Sequence, residues 1–300
     1  MPESPAAVVG SVIRLTIFSN GTQVPETTRV ISVSIHSEVN KIPSARIVLM
    51  DGDMPEKDFP LSNSNDFKPG AVIKINAGYE QEEELIFEGI VIKHGISISG
   101  DNDARLIIEC RDKVVAMTIG RKNANYVNMK DSAILSKIIG NYSGLSSDVA
   151  ATETVYKELV QYYCSDWDFL LSRAEVNGLL TIVSSGKVSV KAPDTGTAAQ
   201  LKVTYGEDLI SFHADTDART QFTAVGSASW DLATQAVVKQ SVTPQTLNSQ
   251  GNLDSATLAS IAGPSSFGLQ TGAPLVSAAL KSWATGQQIK AGLARIRGKM

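Results

Sequence analysis

Apolar and polar residues alternate in short runs along the first third of the chain. Val12–Phe18 (VIRLTIF), Arg29–Ile35 (RVISVSI), Ala45–Met50, Val72–Ala77 (VIKINA), Leu85–His94 (LIFEGIVIKH) and Arg105–Cys110 are β-branched, and several repeat with period two. That pattern predicts half-buried strands. Asn20-Gly21, Asp51-Gly52-Asp53, Pro69-Gly70 and Gly100–Asp103 separate them as turns. The acidic run Glu80–Glu84 reads as a solvated hairpin tip. Successive strands with no helix between them predict a small closed or partly closed β-barrel.

From Lys130 the period changes. Asp131 reads as an N-cap, and Ile134, Leu135, Ile138, Ile139 and Tyr142 follow on one helical face. A second helix starts at Ser165, where Ser165 and Asp168 make a loose capping box. Trp167, Leu170, Leu171 and Ala174 form its stripe, and Gly178 ends it. Leu179–Val183 and Lys187–Lys191 then predict a hairpin across Ser185-Gly186. A second strand-rich stretch covers Gln200–Val242 in four runs: QLKVTYG, DLISFHA, QFTAVGSASW and QAVVKQSV. Thr243–Pro274, rich in Gly, Pro, Ser and Asn, reads as an insertion with one helical piece, Ser255–Ile261. Leu275–Ile296 predicts a helix weakened by Gly286 and Gly292, and Arg295–Met300 reads as the start of a strand.

The fold class is therefore mostly β with an α+β middle segment: two small β-barrel domains flanking a helix-containing part. The boundaries expected are residues 1–120, 121–195 and 196–300, with the insertion at about 243–274. A chain of 300 residues is long for one core, which agrees with more than one unit.

A formal charge of −4, with scattered lysines and arginines, argues against gripping nucleic acid or an anionic membrane by overall charge. The first residues, MPESPAAVVGSVIRLTIFSNG, lack the basic and apolar regions of a secretory leader, and no run is long enough to span a bilayer. Synthesis in the bacterial cytoplasm is the expectation. Cys110 and Cys164 have no CxxC spacing and read as small buried side chains.

Candidate chemistry is sparse. His36, His94 and His213 lie in or beside strand-like runs without metal-ligand spacing. Asp166 and Asp168, two apart at a helix start, point to different sides and suit the helix dipole better than a shared substrate. Asp51-Gly52-Asp53 lacks the spaced ligands of a calcium loop. No catalytic residue, cofactor site or metal site is predicted.

The segment Leu159–Val183 (LVQYYCSDWDFLLSRAEVNGLLTIV) changes the picture. Val160, Gln161, Tyr162, Ser165, Asp166, Asp168, Phe169, Leu170, Arg173, Glu175 and Gly178 match a passage of one family. It resembles the VgrG-type spike proteins and late control protein D hubs of contractile injection systems. Phe67–Asp112, with Pro69-Gly70 and the Phe87-x-Gly89 strand, is similar to that family's first barrel, and Ala278–Met300 to the end of its hub portion. The downstream oligonucleotide-fold and β-helical spike modules of the family are absent from these 300 residues.

The resemblance implies a homotrimeric, non-enzymatic hub joining a hexameric tail tube to a trimeric spike. The partners it implies are a tail tube protein, a spike tip or downstream spike module, and baseplate wedge proteins. The setting is a phage-tail-like particle or virion. On this reading the strand edges near Ile73, Ile75 and Gly78, and near Leu201, Val203 and Gly206, are the expected assembly surface. Two other readings stay open: a tail-associated cell-wall hydrolase and a β-rich adhesin-like binding module.

Overall fold

The computed structural model describes residues 12–300 apart from 80–81, 101–102, 195, 199–200, 245–246, 248–251 and 263–265. Glu80, Gln81, Asp101, Asn102 and Gln200, named above as turn or strand residues, lie outside the described residues, as does part of the expected insertion.

The first six strand runs all form strands. The elements in order are β1 (Ile13–Ser19), β2 (Thr22–Gln23), β3 (Val30–His36), β4 (Ser44–Met50), the one-turn helix α1 (Pro60–Asn63), β5 (Val72–Tyr79), β6 (Glu82–Ile98) and β7 (Ala104–Arg111). The very short β2, which follows the Asn20-Gly21 turn, is an addition to the six runs read from the sequence. Together the strands build one seven-stranded antiparallel sheet in the order β2-β1-β5-β6-β7-β4-β3.

β6 is shared between two halves of that sheet. Its early residues pair with β5 and its later ones with β7, and Ile90 stands opposite both Val72 and Arg111. Gly89 lets the chain turn there, because a β-carbon would lie 2.4 Å from the Arg111 carbonyl oxygen. A bulge between Val91 and Lys93 completes the bend. The sheet curves over a core that includes Ile47, Leu49, Ile73, Ile75, Leu106 and Ile108. Among the described residues no pairing joins β1 or β2 to β3. Glu82–Glu84 belong to β6 rather than to a hairpin tip, because they pair with Ala77–Tyr79.

The middle part begins with a 3₁₀ turn, Lys113–Thr118, capped by the Asp112 carboxylate. Then come β8 (Lys122–Lys130), α2 (Asp131–Gly140), β9 (Ser146–Val149), β10 (Val155–Cys164), α3 (Asp166–Val176), β11 (Leu180–Ser184) and β12 (Lys187–Lys191). β8 and β10 form an antiparallel ribbon, and β11-β12-β9 a small mixed sheet. α2 and α3 bury Ile134, Leu135, Ile138, Ile139, Trp167 and Leu170 in one core. Asp131 is not the N-cap; Lys130 holds that place, and Asp131 is the first helical residue with a buried side chain. The first and middle parts meet at a reciprocal pair. Asn40 donates its N–H to the Thr181 carbonyl at 2.8 Å and accepts the Thr181 N–H on Oδ1 at 2.8 Å.

The last part holds β13 (His213–Thr216), a 3₁₀ turn at Ala218–Thr220, β14 (Val225–Asp231), β15 (Ala236–Val242), α4 (Ser255–Ala262), β16 (Phe267–Thr271), α5 (Ser277–Leu293) and β17 (Ile296–Lys299). Its strands make a three-stranded sheet, β15-β14-β16, and a separate pair, β13-β17. The fold class is mostly β with a helix-bearing middle, as expected.

Two sequence expectations fail outright in this part, and of the strand-like run Asp208–Ala214 only His213 and Ala214 enter a strand, β13. Leu201–Gly206 is not a strand: the Thr204 carbonyl accepts the N–H groups of Glu207, Asp208 and Leu209, the Asp208 carboxylate accepts the Thr204 N–H, and Gly206 takes φ +87°. A closed turn replaces an extended run. The second failure is the insertion, whose residues Phe267–Thr271 enter the sheet as β16, parallel to β14 from Val225 to Ser229. A five-residue strand containing one glycine gave no periodic signal. α5 packs on β14, β15 and α3, and the Ser227 hydroxyl donates to the Leu280 carbonyl at 2.9 Å.

Candidate assembly interface

The motif residues Gln161–Gly178 divide into a buried scaffold and an exposed strip. Gln161, 1% exposed, donates Nε2–H to Asp166 Oδ1 at 2.8 Å and accepts the Tyr126 hydroxyl at 3.1 Å. The other carboxylate oxygen of Asp166 accepts Lys122 Nζ at 2.7 Å and the Tyr142 hydroxyl at 2.7 Å. Burial works against ionisation of Asp166, but the hydrogen bonds from Lys122, Gln161 and Tyr142 outweigh it and hold the carboxyl below its ordinary range. Ser165 is the N-cap as predicted: it accepts the Asp168 N–H at 3.1 Å, while its hydroxyl, in place of the backbone N–H of a capping box, donates to Asp168 Oδ2 at 2.6 Å. Phe169 and Leu170 are buried, and Gly178 ends the helix at φ +66°.

A second network holds α2 against α3. Arg173 donates Nε and Nη2 to the two oxygens of Asp131 at 2.7 and 2.8 Å, Asn177 adds a third bond at 2.7 Å, and the guanidinium lies 4.8 Å from the Tyr156 ring centre. Burial pushes the Tyr156 hydroxyl up to about 12. The sequence shows Asp131 and Arg173 as helix residues; nothing in their spacing, 42 apart, signals the pairing. Nor does the sequence pair Lys122 or Tyr142, the latter read above only as part of a helical face, with Asp166.

These carboxylates are saturated by donors, so their chemistry is structural. Burial also pushes the Cys110 thiol up to about 12, far from thiolate character. Among the described residues no group of three or more His, Cys, Asp or Glu is placed to hold a metal ion, and no helix is long and apolar enough to cross a membrane.

The exposed strip is the outer face of the β8–β10 ribbon, where Val127, Val160 and Tyr162 face solvent. Tyr162 is 80% exposed. Beside it Tyr163 sits at φ +45°, an uncommon conformation for a bulky residue. It is held by its N–H bond to Asn123 Oδ1 at 2.8 Å and by Arg121, which reaches its carbonyl and its ring.

The residues expected to form assembly edges fall elsewhere. Ile73 and Ile75 are fully buried in the first core, on a strand paired along both sides, so β5 offers no edge. Gly78 lies opposite Arg14 and Glu83, where a β-carbon would collide with the Glu82 carbonyl. Leu201 is exposed, Val203 half-buried, and Gly206 belongs to the turn described above.

No curated protein matches the chain. Solved structures do. The 43 kDa tail protein of prophage MuSo2 from Shewanella oneidensis is similar at a TM-score of 0.66 and 12% identity, over 96% of this chain and 81% of that one. The tail protein from Neisseria meningitidis MC58 gives 0.65 and 12%, over 95% and 79%. An E. coli component of the type VI secretion system gives 0.50 and 13%, over 67% and 56%. At these identities the likeness is one of fold, and the fold is that of phage tail proteins. The sequence itself matches the family described as Alg8 N-terminal domain across residues 9–300, and the chain belongs to that family.

Proposed function

We propose that this chain is a structural subunit of a contractile injection system: a homotrimeric hub that adapts a hexameric tail tube to a trimeric spike in the baseplate. The observation that carries this reading is the sharing of a tail-protein fold over 96% and 95% of the chain. The buried polar networks support it, since they consume the titratable groups of the middle part in holding helices and ribbon together. The division at residues 1–120, 121–195 and 196–300 belongs to the same reading, with the strand-rich parts as tube-like modules. Its partners are the tube protein, a spike module and baseplate wedge proteins, with a tail-like particle as its place of action. The VgrG-type resemblance of Leu159–Val183 points the same way.

The test is the native mass of the full chain by light scattering after size exclusion, with and without a candidate tube protein. A threefold mass that grows with tube protein supports the reading. A monomer indifferent to the tube, together with a zone of clearing on peptidoglycan, would replace it with a hydrolase.

A further inference from the structure

β1 is paired along its whole length with β5, but on its other side β2 covers only Phe18 and Ser19, and Val24 bonds to Ile17. Ile13–Thr16 therefore present an open edge among the described residues. Natural sheets guard such edges with charge, proline or a bulge. This one is apolar on its inner side: Ile13 is 72% and Leu15 40% exposed, although they continue the row of buried Ile17. The edge borders a groove of about 420 Å³, whose other wall includes Pro25, Glu26 and Val30.

Elsewhere the chain carries the converse. Leu209–Phe212 has a strand-like sequence and runs directly into β13, yet among the described residues it pairs with no strand. Ile210 is 100% and Phe212 63% exposed. Glu207 precedes this segment, and Arg14 stands on the open edge, half exposed and 3.6 Å from Glu83. Four edge residues, apolar on one face, thus match in length and apolar character a four-residue strand-prone segment whose one main-chain bond among the described residues is from the Leu209 N–H to the Thr204 carbonyl, and Glu207 just before that segment carries the charge opposite to that of Arg14.

We infer that Leu209–Phe212 of one copy adds as a strand to the Ile13–Thr16 edge of a second copy, seating Ile210 and Phe212 over the groove and Glu207 near Arg14. Main-chain hydrogen bonds hold the added strand, and the apolar pockets fix its register. Donor and acceptor are different surfaces of one chain, so the contact is head-to-tail and repeats until a ring closes. This inference rests on the hub reading and names the surfaces that close its ring.

The full chain with Cys164→Ser, Leu15→Cys and Ile210→Cys tests it, treated with a short bismaleimide that tolerates a slip of register. A covalent ladder ending at the ring size is expected from the double-cysteine chain and from neither single-cysteine chain. Because Ile210 touches nothing in the free subunit, Ile210→Lys is expected to weaken association by roughly tenfold or more without moving the melting temperature of the monomer. An oligomer of unchanged affinity in Ile210→Lys, with no ladder from the double-cysteine chain, overturns the strand addition while leaving the ring reading intact. A chain that stays monomeric at all concentrations, with no ladder, overturns both.

Discussion

Gly178 and Gly286 meet where α3 ends against α5, so closely that neither has room for a side chain. A β-carbon on Gly178 would lie 3.1 Å from Gly286 Cα, and one on Gly286 would lie 2.7 Å from the Glu175 carbonyl oxygen and 3.0 Å from Gly178 N. Helix propensity alone marks Gly286 as a flaw; the crossing makes it a requirement.

Gly286→Ala is therefore expected to destabilise the chain by about 1–3 kcal/mol, because backbone cannot move aside and overpacking outweighs the gain in propensity. Gly140→Ala, in α2 with nothing within 4 Å of the added carbon, is the contrast, expected to be neutral or slightly stabilising. Urea midpoints of the two variants against the parent chain decide it.

The Asp131–Arg173 pair is buried, with side chains 0% and 13% exposed. Removing one partner leaves an uncompensated charge, so Asp131→Leu is expected to cost roughly 3–5 kcal/mol. The double variant Asp131→Leu with Arg173→Met removes both charges and is expected to recover a large part of that loss. A double-mutant cycle by chemical denaturation reads the coupling, and additive losses would contradict the pairing.

Asp166 sets an acid limb. Its carboxyl titrates lower in the folded chain than in the unfolded one, so its contribution is complete above about pH 4 and is lost as pH falls through the folded value. Stability measured from pH 7 down to pH 2 should decline more steeply below about pH 4 in the parent chain than in Asp166→Asn. Parallel curves would show that the carboxylate adds nothing.

Adjacent motif residues should behave differently. Gln161→Ala strands the Tyr126 hydroxyl and one oxygen of Asp166 in a buried setting, at a cost of about 1–3 kcal/mol. Tyr162→Ser changes a side chain that is 80% exposed and is expected to stay within about 0.5 kcal/mol of the parent. Thermal melts of the two variants separate scaffold from surface.

The first strands were legible because each alternates along one buried face, as Ala45, Ile47 and Leu49 do on β4. The helices were legible because Ile134, Leu135, Ile138 and Ile139 repeat at helical spacing. β8 and β10 were not legible as strands, since Asn123, Asn125 and Asn128 dilute one and charged residues the other. Leu201–Gly206 misled because its alternation is real, while Gly206 and Asp208 favour a turn that no period reports. At the candidate interface the motif gave the cap and the terminating glycine, which are local in sequence. Lys122 and Tyr142 reach Asp166 from 44 and 24 residues away, and only the packed chain brings them together.

The reciprocal bonds between Asn40 and Thr181 span 141 residues. Such a contact offers little return until both of its flanking sheets exist, because the entropy of closing so long a loop must first be met. It is expected to form on the native side of the folding barrier. Removing its side-chain half with Asn40→Gly, which keeps the main-chain bond and tolerates the φ of +61°, should leave the refolding arm of a chevron in place and raise the unfolding arm. On that outcome the two small hydrogen bonds would act as a latch on the lifetime of the folded chain more than on its speed of formation.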